Sequence, residues 1–392
     1  TTGIALVNGR VAADDTNSGE RIGDDTFTGG GRYMAVQEPA QPVILETLAG
    51  RDTITSGQTT PWSVTLHVRN EGEAAMTFDP AGTGLFGSYP LTVPAPPQEF
   101  GAGGVTLAGG AAGHLVFEIA PSPEVPSDTD IRIDAVAAFS EDNRGVAMQY
   151  DTRVSEAGFG AVHAQTPPRI GIVSLTAAAP RAPYVDLEQM FDLLIEVENT
   201  GGASASDVTI DLVCDGHSTV LDAPLVLERV AGGGVAGGAF AVRAGDVPGV
   251  EIFTAALVSA VDVNSGQADL VAFAPALDST ATMTIQEPGV LAVESVTASQ
   301  AEVNAGQTAD WTLRVDLVNQ GGAPVTLAVP TAADIGFSLA GTPLTDYLVV
   351  GPSGLASGAP GWSLDAGAAD SLVYIVSTTG SDTGIVLVTA SL

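Results

Sequence analysis

A short phrase that occurs three times constrains the fold of this chain more than any other feature. Its copies are LHVRNEG from Leu66 to Gly72, IEVENTG from Ile195 to Gly201 and VDLVNQG from Val315 to Gly321. Apolar residues stand at every second position, and Asn-x-Gly follows, which indicates a strand with one buried face that ends in a tight turn. The Asn positions are 129 and 120 residues apart. This spacing is too long for a solenoid repeat and predicts a row of independently folding domains.

A large aromatic residue opens each of these three strands. The residues are Trp62, Phe191 and Trp311, and three further apolar residues follow each of them on the same face of its strand. An aromatic platform for a ligand is one interpretation of this pattern. Their place on the buried face favours the other interpretation, in which each ring fills the core of a two-layer domain.

Other features recur in the same order along the chain and divide it into units. Strands that end in Gln and run into a Pro-bearing joint read MAVQEPA, VHAQTPP and MTIQEPG. Helical periodicity is missing, while short alternating strands and Gly, Pro and Asn turns are frequent. The chain is therefore predicted to be all-β, with tandem immunoglobulin-like antiparallel β-sandwich domains that form an elongated rod. Pro in the joints is expected to stiffen the rod.

The recurring features also predict the boundaries of the units. We expect repeat 1 at residues 41–168, repeat 2 at 169–289 and repeat 3 at 290–392. Residues 1–40 are expected to form the closing strands of a preceding unit, or of a unit in a neighbouring subunit. Repeat 3 is expected to lack its last strand.

The pattern aromatic-x-apolar-x-apolar-x-apolar-x-Asn-x-Gly, followed by small residues and another apolar strand, resembles the CARDB domain, the cell-adhesion-related domain of bacteria. It also resembles neighbouring families of bacterial immunoglobulin-like repeats. The resemblance covers the larger part of each unit. It implies a spacer or adhesive role in a large exported protein at the bacterial cell surface, and it implies no catalytic residues.

The charge of the chain restricts its partners. Its 392 residues include 46 acidic and 13 basic side chains, which gives a net charge of −33. Such a charge repels nucleic acid and anionic lipid and keeps the protein soluble. The mean hydropathy of +0.28 argues against disorder. Apolar runs long enough to span a bilayer do not occur, so no membrane insertion is expected in this region.

The sequence offers no catalytic motif. GHSTV, from Gly216 to Val220, has Val where a nucleophile elbow needs Gly. The four His residues form no close ligand pair, and without Lys there is neither a Walker lysine nor a Schiff base. The chain is therefore predicted not to be an enzyme.

Acidic closing turns before the last strands are the one chemical signal that remains. Hard Ca²⁺ prefers oxygen ligands from Asp, Asn and backbone carbonyls, so these turns are candidate calcium sites. The alternative is that Asp and Asn serve as ordinary turn residues there. The candidate ligands are Asp14, Asp15, Asn17, Asp142, Asn143, Asp262 and Asn264.

Three functions remain open at this point. The first is a structural or adhesive rod, whose partners are further copies of the repeat and ligands on the cell surface or in the matrix. In the second, the chain is a filament subunit, and its N-terminal segment donates a strand to the incomplete repeat 3 of a neighbour. The third is a set of accessory domains of a secreted hydrolase.

Overall fold

The structure is a computed structural model that describes residues 2–25, 31–93, 99–100, 106–120, 125–178, 182–276 and 279–391. The described residues form almost only strands and loops, as predicted for an all-β chain of sandwich domains. Their helical elements are one short α-helix, α1 (Thr152–Ser155), and one 3-10 turn, η1 (Ala332–Asp334). None of these elements is long and apolar enough to cross a membrane as a helix.

The described residues of the N-terminal segment, 2–25 and 31–40, form two small antiparallel ribbons. One ribbon pairs the first and fourth strands, and the other pairs the second and third. Almost all of their side chains are exposed. The strands are β1 (Gly3–Val7), β2 (Arg10–Asp14), β3 (Arg21–Asp25) and β4 (Arg32–Val36).

Repeat 1 is a sandwich of two sheets around one hydrophobic core. One sheet has the strand order β10-β8-β12-β14-β6, with β13 beside β12, and the other has the order β5-β7-β11-β9. The strands are β5 (Pro42–Ala49), β6 (Thr53–Thr55), β7 (Trp62–Asn70), β8 (Met76–Gly87), β9 (Glu99–Phe100), β10 (Thr106–Leu107), β11 (Ala112–Ile119), β12 (Thr129–Glu141), β13 (Ala147–Asp151) and β14 (Gly160–Gln165).

Repeat 2 has the same two-layer arrangement and its own core. Its sheets have the orders β19-β21-β17-β15-β23 and β16-β24-β22-β18-β20. The strands are β15 (Arg169–Ala177), β16 (Tyr184–Asp186), β17 (Met190–Asn199), β18 (Ala205–Cys214), β19 (Thr219–Val220), β20 (Leu225–Val230), β21 (Val235–Arg243), β22 (Gly249–Asp262), β23 (Ala272–Phe273) and β24 (Thr280–Gln286).

Repeat 3 contains a third core within three smaller sheets, of the orders β25-β26-β32-β30, β27-β31 and β29-β28-β33. The strands are β25 (Leu291–Ala298), β26 (Trp311–Asn319), β27 (Val325–Thr326), β28 (Ile335–Leu339), β29 (Thr342–Leu344), β30 (Leu348–Val350), β31 (Ser363–Leu364), β32 (Ala369–Thr378) and β33 (Val386–Ala390).

The aromatic residues that open β7, β17 and β26 lie in these cores, as the alternation of the sequence predicts. Trp62, Phe191 and Trp311 are all buried. The Phe191 ring meets the ring of Phe253 edge to face, with 5.9 Å between centroids, and Trp311 meets Phe337 in the same way at 6.5 Å. Phe191 and Trp311 therefore each contact the opposite layer of their own repeat.

The last strand of repeats 1 and 2 occupies the same place in both. Strand β14 pairs antiparallel with β12 and parallel with β6, while β24 pairs antiparallel with β22 and parallel with β16. In the described part of repeat 3, β33 is an edge strand, and residues 302–304, which correspond to β6, are not in a strand. Val303, Ile385, Val386 and Val388 line one groove of repeat 3.

One carboxylate ties three adjacent strands of repeat 3 together. Asp316 on β26 accepts hydrogen bonds from Ser295 Oγ on β25 (2.5 Å), from Arg314 Nε (2.7 Å) and from Ser371 Oγ on β32 (2.9 Å). The Ser295 hydroxyl, followed by Arg314 and Ser371, lowers the pKa of Asp316 to about 2. Because the pKa is depressed in the folded state, this carboxylate stabilises repeat 3 at neutral pH and loses that effect as the pH falls through about 2.

We therefore expect Asp316→Asn to flatten the acid limb of the stability curve of repeat 3. Thermal unfolding followed between about pH 5 and pH 2 should show the wild type losing stability more steeply than the variant. The matched control is Asp310→Asn, because Asp310 is exposed at the start of the same strand. Parallel curves for the wild type and Asp316→Asn would contradict the expectation.

Candidate functional site at the interdomain joints

The Asn of each repeated phrase is a buried clamp on the chain that enters its repeat. In repeat 2, Asn199 Nδ2 donates to the carbonyl oxygens of Ala203 (2.8 Å) and Val230 (3.3 Å). Its Oδ1 accepts from the backbone N–H groups of Gly201 (3.0 Å) and Arg169 (3.0 Å). Arg169 follows the prolines of the joint directly, so the amide ties the end of β17 to the incoming chain.

The other two phrases repeat this geometry. Asn70 Oδ1 accepts from the N–H of Gln41 (3.1 Å), and Asn319 Oδ1 accepts from the N–H of Val290 (3.1 Å). Both amides also donate to carbonyls in their own repeat, and both residues are buried. The sequence predicts only a turn at these positions, whereas the structure shows that the Asn side chain also binds the backbone directly after the joint.

The Gly of each phrase lies against the same joint. A Cβ atom on Gly201 would lie 2.0 Å from the carbonyl oxygen of Pro167, so no side chain fits. The reason is the close approach of two backbones and not an unusual φ angle. Gly72 and Gly321 would meet the carbonyl oxygens of Pro39 and Pro288 at the same distance of 2.0 Å.

The closing turn of repeat 2 docks onto the end of repeat 1. Asn264 Nδ2 donates to Gln165 Oε1 (2.9 Å) and to Thr55 Oγ1 (3.0 Å), while Thr53 Oγ1 donates to Asn264 Oδ1 (3.0 Å). Thr53 and Thr55 are the first and last residues of β6, and Gln165 ends the parallel strand β14. The turn therefore covers the strand ends of the preceding domain.

Asp262 and Gln267 complete this contact. Asp262 is fully buried, and its carboxylate accepts from Thr55 Oγ1 (2.9 Å) and from the N–H and hydroxyl of Ser265. Gln267 Oε1 accepts from the N–H of Thr59 (2.8 Å). Among the described residues, eight hydrogen bonds join the turn to repeat 1.

The preceding joint uses an equivalent contact. Asn143, in the closing turn of repeat 1, donates through Nδ2 to Gln37 Oε1 (3.1 Å) in the N-terminal segment. The three closing turns share one backbone hydrogen bond, from Gly19 to Asp15, from Gly145 to Glu141 and from Gly266 to Asp262. The Asn of a closing turn thus meets a Gln of the unit before it, namely Gln165 at the end of β14 or Gln37 directly after β4.

The structure assigns ordinary hydrogen-bonding partners to several candidate calcium ligands. Asp15 Oδ1 accepts from the N–H groups of Asn17 (2.7 Å) and Ser18, and these bonds lower the pKa of Asp15. Asp142 accepts from Thr77 Oγ1 (2.7 Å), and Asp14 lies exposed at the end of β2.

No group of three or more His, Cys, Asp or Glu side chains that could hold a metal ion occurs among the residues that the structure describes. Calcium binding therefore stays a prediction. The side chains of Asp262 and Asn264 have hydrogen-bonding partners in repeat 1, namely Thr53, Thr55 and Gln165.

The sequence did not reveal which residues of repeat 1 bind the closing turn of repeat 2. Thr53, Thr55 and Gln165 carry no motif for chemistry, and their roles depend on a turn about 100 to 200 residues further along the chain. One signal was present. Gln recurs directly before the joint in MAVQEP, VHAQTP and MTIQEP, although neighbouring positions vary.

Comparison with known proteins gives no family. No protein-family model matches the chain, and no curated protein matches it. The S-layer protein rSbsC(31-844) is similar at 11% identity and a TM-score of 0.29, over 98% of this chain and 45% of that chain. The major pilin subunit BcpA of Bacillus cereus has 10% identity and a TM-score of 0.22, over 71% of this chain and 95% of that one.

Red sea bream transglutaminase is similar at 11% identity and a TM-score of 0.22, over 63% of this chain. The chain spans only 32% of the length of that enzyme. Likeness at this level shows no common function. The resemblance to CARDB domains stays a prediction.

Proposed function

We propose that this chain is a non-catalytic structural rod of a bacterial extracellular or cell-surface protein. In this role, the tandem β-sandwich domains would keep the molecules bound at the two ends of the rod at a constant distance and orientation. The observation that carries the proposal is the joint, where the closing-turn Asn of one unit binds the terminal Gln of the unit before it. This contact occurs in two successive joints, as Asn143 with Gln37 and as Asn264 with Gln165.

Two further features support a rigid and soluble spacer. The Asn-Gly clamp fastens the backbone of each joint from the other side, through Asn70, Asn199 and Asn319. The net charge of −33 disfavours association with nucleic acid and with anionic membranes. An exported location rests on the resemblance to surface repeats of bacteria.

Small-angle scattering of the complete chain tests the proposal. We expect a single extended particle for the wild type and a broader range of conformations for Asn264→Ala combined with Gln267→Ala, because six of the eight joint contacts disappear. The two domains should keep their melting temperatures. Gln149→Ala, at an exposed position on β13, is the matched control.

A flexible wild type would contradict the proposal, and so would a double variant that scatters like the wild type. A parallel series with a calcium chelator tests the predicted calcium sites. A joint that loosens on chelation would support bound Ca²⁺, and an unchanged profile would leave the closing turns as hydrogen-bonding elements.

A further inference from the structure

We propose that His67 and His114, on the outer face of repeat 1, bind one divalent transition-metal ion of the zinc and copper class, which links strands β7 and β11. The site lies within a single repeat, so it goes beyond the proposed role of the joints. Rigid joints can exist without this ion, and the ion can bind whether the joints are rigid or flexible. The two proposals therefore have separate tests.

The two His residues lie directly opposite each other in the antiparallel pair of β7 and β11. Residues opposite each other in such a pair have their side chains on the same face, with Cβ atoms about 4.5–5.5 Å apart. Leu66 and Val68, the neighbours of His67, are buried in the core. Both imidazoles therefore lie on the outer face of the sheet, where each is half-buried. The two residues are 47 positions apart in the chain, which is why the sequence showed no ligand pair.

The distance between the two rings suits a shared metal ion. Their centroids are 5.9 Å apart, and the ring planes are tilted by 34° to each other. A nitrogen ligand lies about 2.0–2.1 Å from Zn²⁺, so two imidazoles on one ion have centroids about 5–6 Å apart. The pair can therefore take an ion between its nitrogen atoms through small rotations of the two side chains.

The nitrogen atoms of both rings are available for a metal ion. Among the residues that the structure describes, neither imidazole forms a hydrogen bond or an ion pair. His163 of the same repeat differs, because its Nδ1 lies 2.7 Å from Asp130 Oδ1 and its Nε2 lies 3.6 Å from Asp128 Oδ1. Imidazole is a ligand that Zn²⁺, Cu²⁺ and Ni²⁺ accept readily, whereas Ca²⁺ prefers oxygen. The ion proposed here is therefore of another class than the calcium predicted for the closing turns.

A carboxylate in the same row adds negative charge beside the pair. Glu46 on β5 lies opposite His67 on the other side of β7, and its side chain is exposed. Glu46, His67 and His114 thus form one row across three adjacent strands. This carboxylate and the net charge of −33 both attract a cation. The ion has two protein ligands, and water completes its coordination shell.

The same row of repeat 3 contains a bridge between three strands. Asp316 occupies the position of His67, because each lies three residues before the Asn of its repeated phrase. Ser295 on β25 and Ser371 on β32 lie opposite Asp316, and each donates a hydrogen bond to its carboxylate. Both β5 and β25 also have a bulge directly before this row. The row therefore has the same backbone frame in the two repeats.

A metal ion would give repeat 1 the bridge that hydrogen bonds give repeat 3. The two imidazoles form no hydrogen bond with each other, since their centroids are 5.9 Å apart. An ion between them would bind one side chain from β7 and one from β11. It would thus hold these strands together on the outer face, as Asp316 and Ser371 hold β26 and β32 together.

Isothermal titration calorimetry of the complete chain with Zn²⁺ tests the proposal. Excess Ca²⁺ in the buffer occupies carboxylate sites, and a Cys214→Ala background removes the one thiol. His67→Gln and His114→Gln should each weaken zinc binding by at least about tenfold, because even the loss of an outer-shell partner typically costs that much. His163→Gln is the matched control, since it removes the third His of the same repeat and should leave the affinity unchanged.

A chain that binds no zinc under these conditions would overturn the proposal. Zinc binding that His67→Gln and His114→Gln leave intact, or that His163→Gln abolishes, would overturn it as well.

Two further measurements test the link between the strands. Zn²⁺ should raise the melting temperature of repeat 1, because it binds only the folded pair, and His67→Gln should abolish this rise. Repeats 2 and 3 have no His in this row, so their transitions should stay in place. Pulsed electron paramagnetic resonance of the chain with Cu²⁺ then counts the imidazoles on the ion. Two imidazoles would support the link, and a single one, or a rise that persists in His67→Gln, would contradict it.

Discussion

Replacement of Asn70 by Ala is expected to lower the free energy of unfolding of repeat 1 by about 3 kcal/mol. The amide donates to the carbonyls of Ala74 (2.7 Å) and Leu107 (3.3 Å), and it accepts from the N–H groups of Gly72 and Gln41. Its removal leaves buried backbone groups without partners, and each such group costs about 1–3 kcal/mol.

Urea unfolding followed by tryptophan fluorescence measures this effect in a background with Trp311→Phe and Trp362→Phe, where Trp62 in the core of repeat 1 is the one remaining tryptophan. Asn143→Ala is the matched control. Asn143 is exposed in the closing turn of the same repeat, so its replacement should change the stability of repeat 1 by less than about 0.5 kcal/mol. Equal effects of the two substitutions would refute the role of Asn70 as a buried clamp.

A methyl group at Gly201 is expected to destabilise repeat 2 by about 2–3 kcal/mol and to displace the joint before it. The added Cβ would lie 2.0 Å from the carbonyl oxygen of Pro167 and 2.8 Å from Cα of Pro168, and both are backbone atoms that cannot rotate away. Calorimetry of Gly201→Ala should show a lower melting temperature for repeat 2, while the transition of repeat 3 stays in place.

Gly249→Ala provides the control for this substitution. No atom lies within 4 Å of a Cβ at Gly249, its φ angle is ordinary, and it begins strand β22 of the same repeat. We expect no loss of stability there, because Ala restricts the unfolded chain more than Gly does. A similar loss for both variants would show that the effect at Gly201 arises from backbone flexibility and not from the joint.

The fold class was predictable because it depends on local patterns. Apolar residues alternate with polar ones in WSVTLHVRN, which begins at Trp62. The side chains of β7 are buried in the same alternation. The same holds for β17 and β26. The buried face of a strand depends on the apolar residues of that strand alone, so alternation with a period of two is sufficient to predict which side chains are buried.

The role of the repeated Asn was harder to predict from the sequence. A sequence shows that Asn-x-Gly makes a turn, but it does not show which backbone the turn will approach. The approach of Gly201 to Pro167 is a contact across 34 residues, and it depends on how β15 and β17 pair. Only the folded sheet brings the joint and the turn together.

The joint contact between Asn264 and Gln165 was the least predictable feature. Asn264 lies in the turn after β22, where the sequence suggested a calcium ligand or an ordinary turn residue, and Gln165 ends β14 without any assigned role. The hydrogen bonds form because two domains meet there, and the geometry of that meeting is not encoded in any local pattern. Asp262 illustrates the same point, since the sequence does not show that this turn carboxylate is buried and accepts a hydrogen bond from Thr55.

The width of a distance distribution between repeats 1 and 2 tests the central claim most directly. Spin labels at Glu118→Cys and Glu228→Cys, both exposed, report on the joint by pulsed electron paramagnetic resonance in a Cys214→Ala background. The account predicts one narrow distribution for the wild type and a broad one after Asn264→Ala combined with Gln267→Ala. A broad distribution in the wild type, or a narrow one in both proteins, would contradict the claim that the closing turn fixes neighbouring domains.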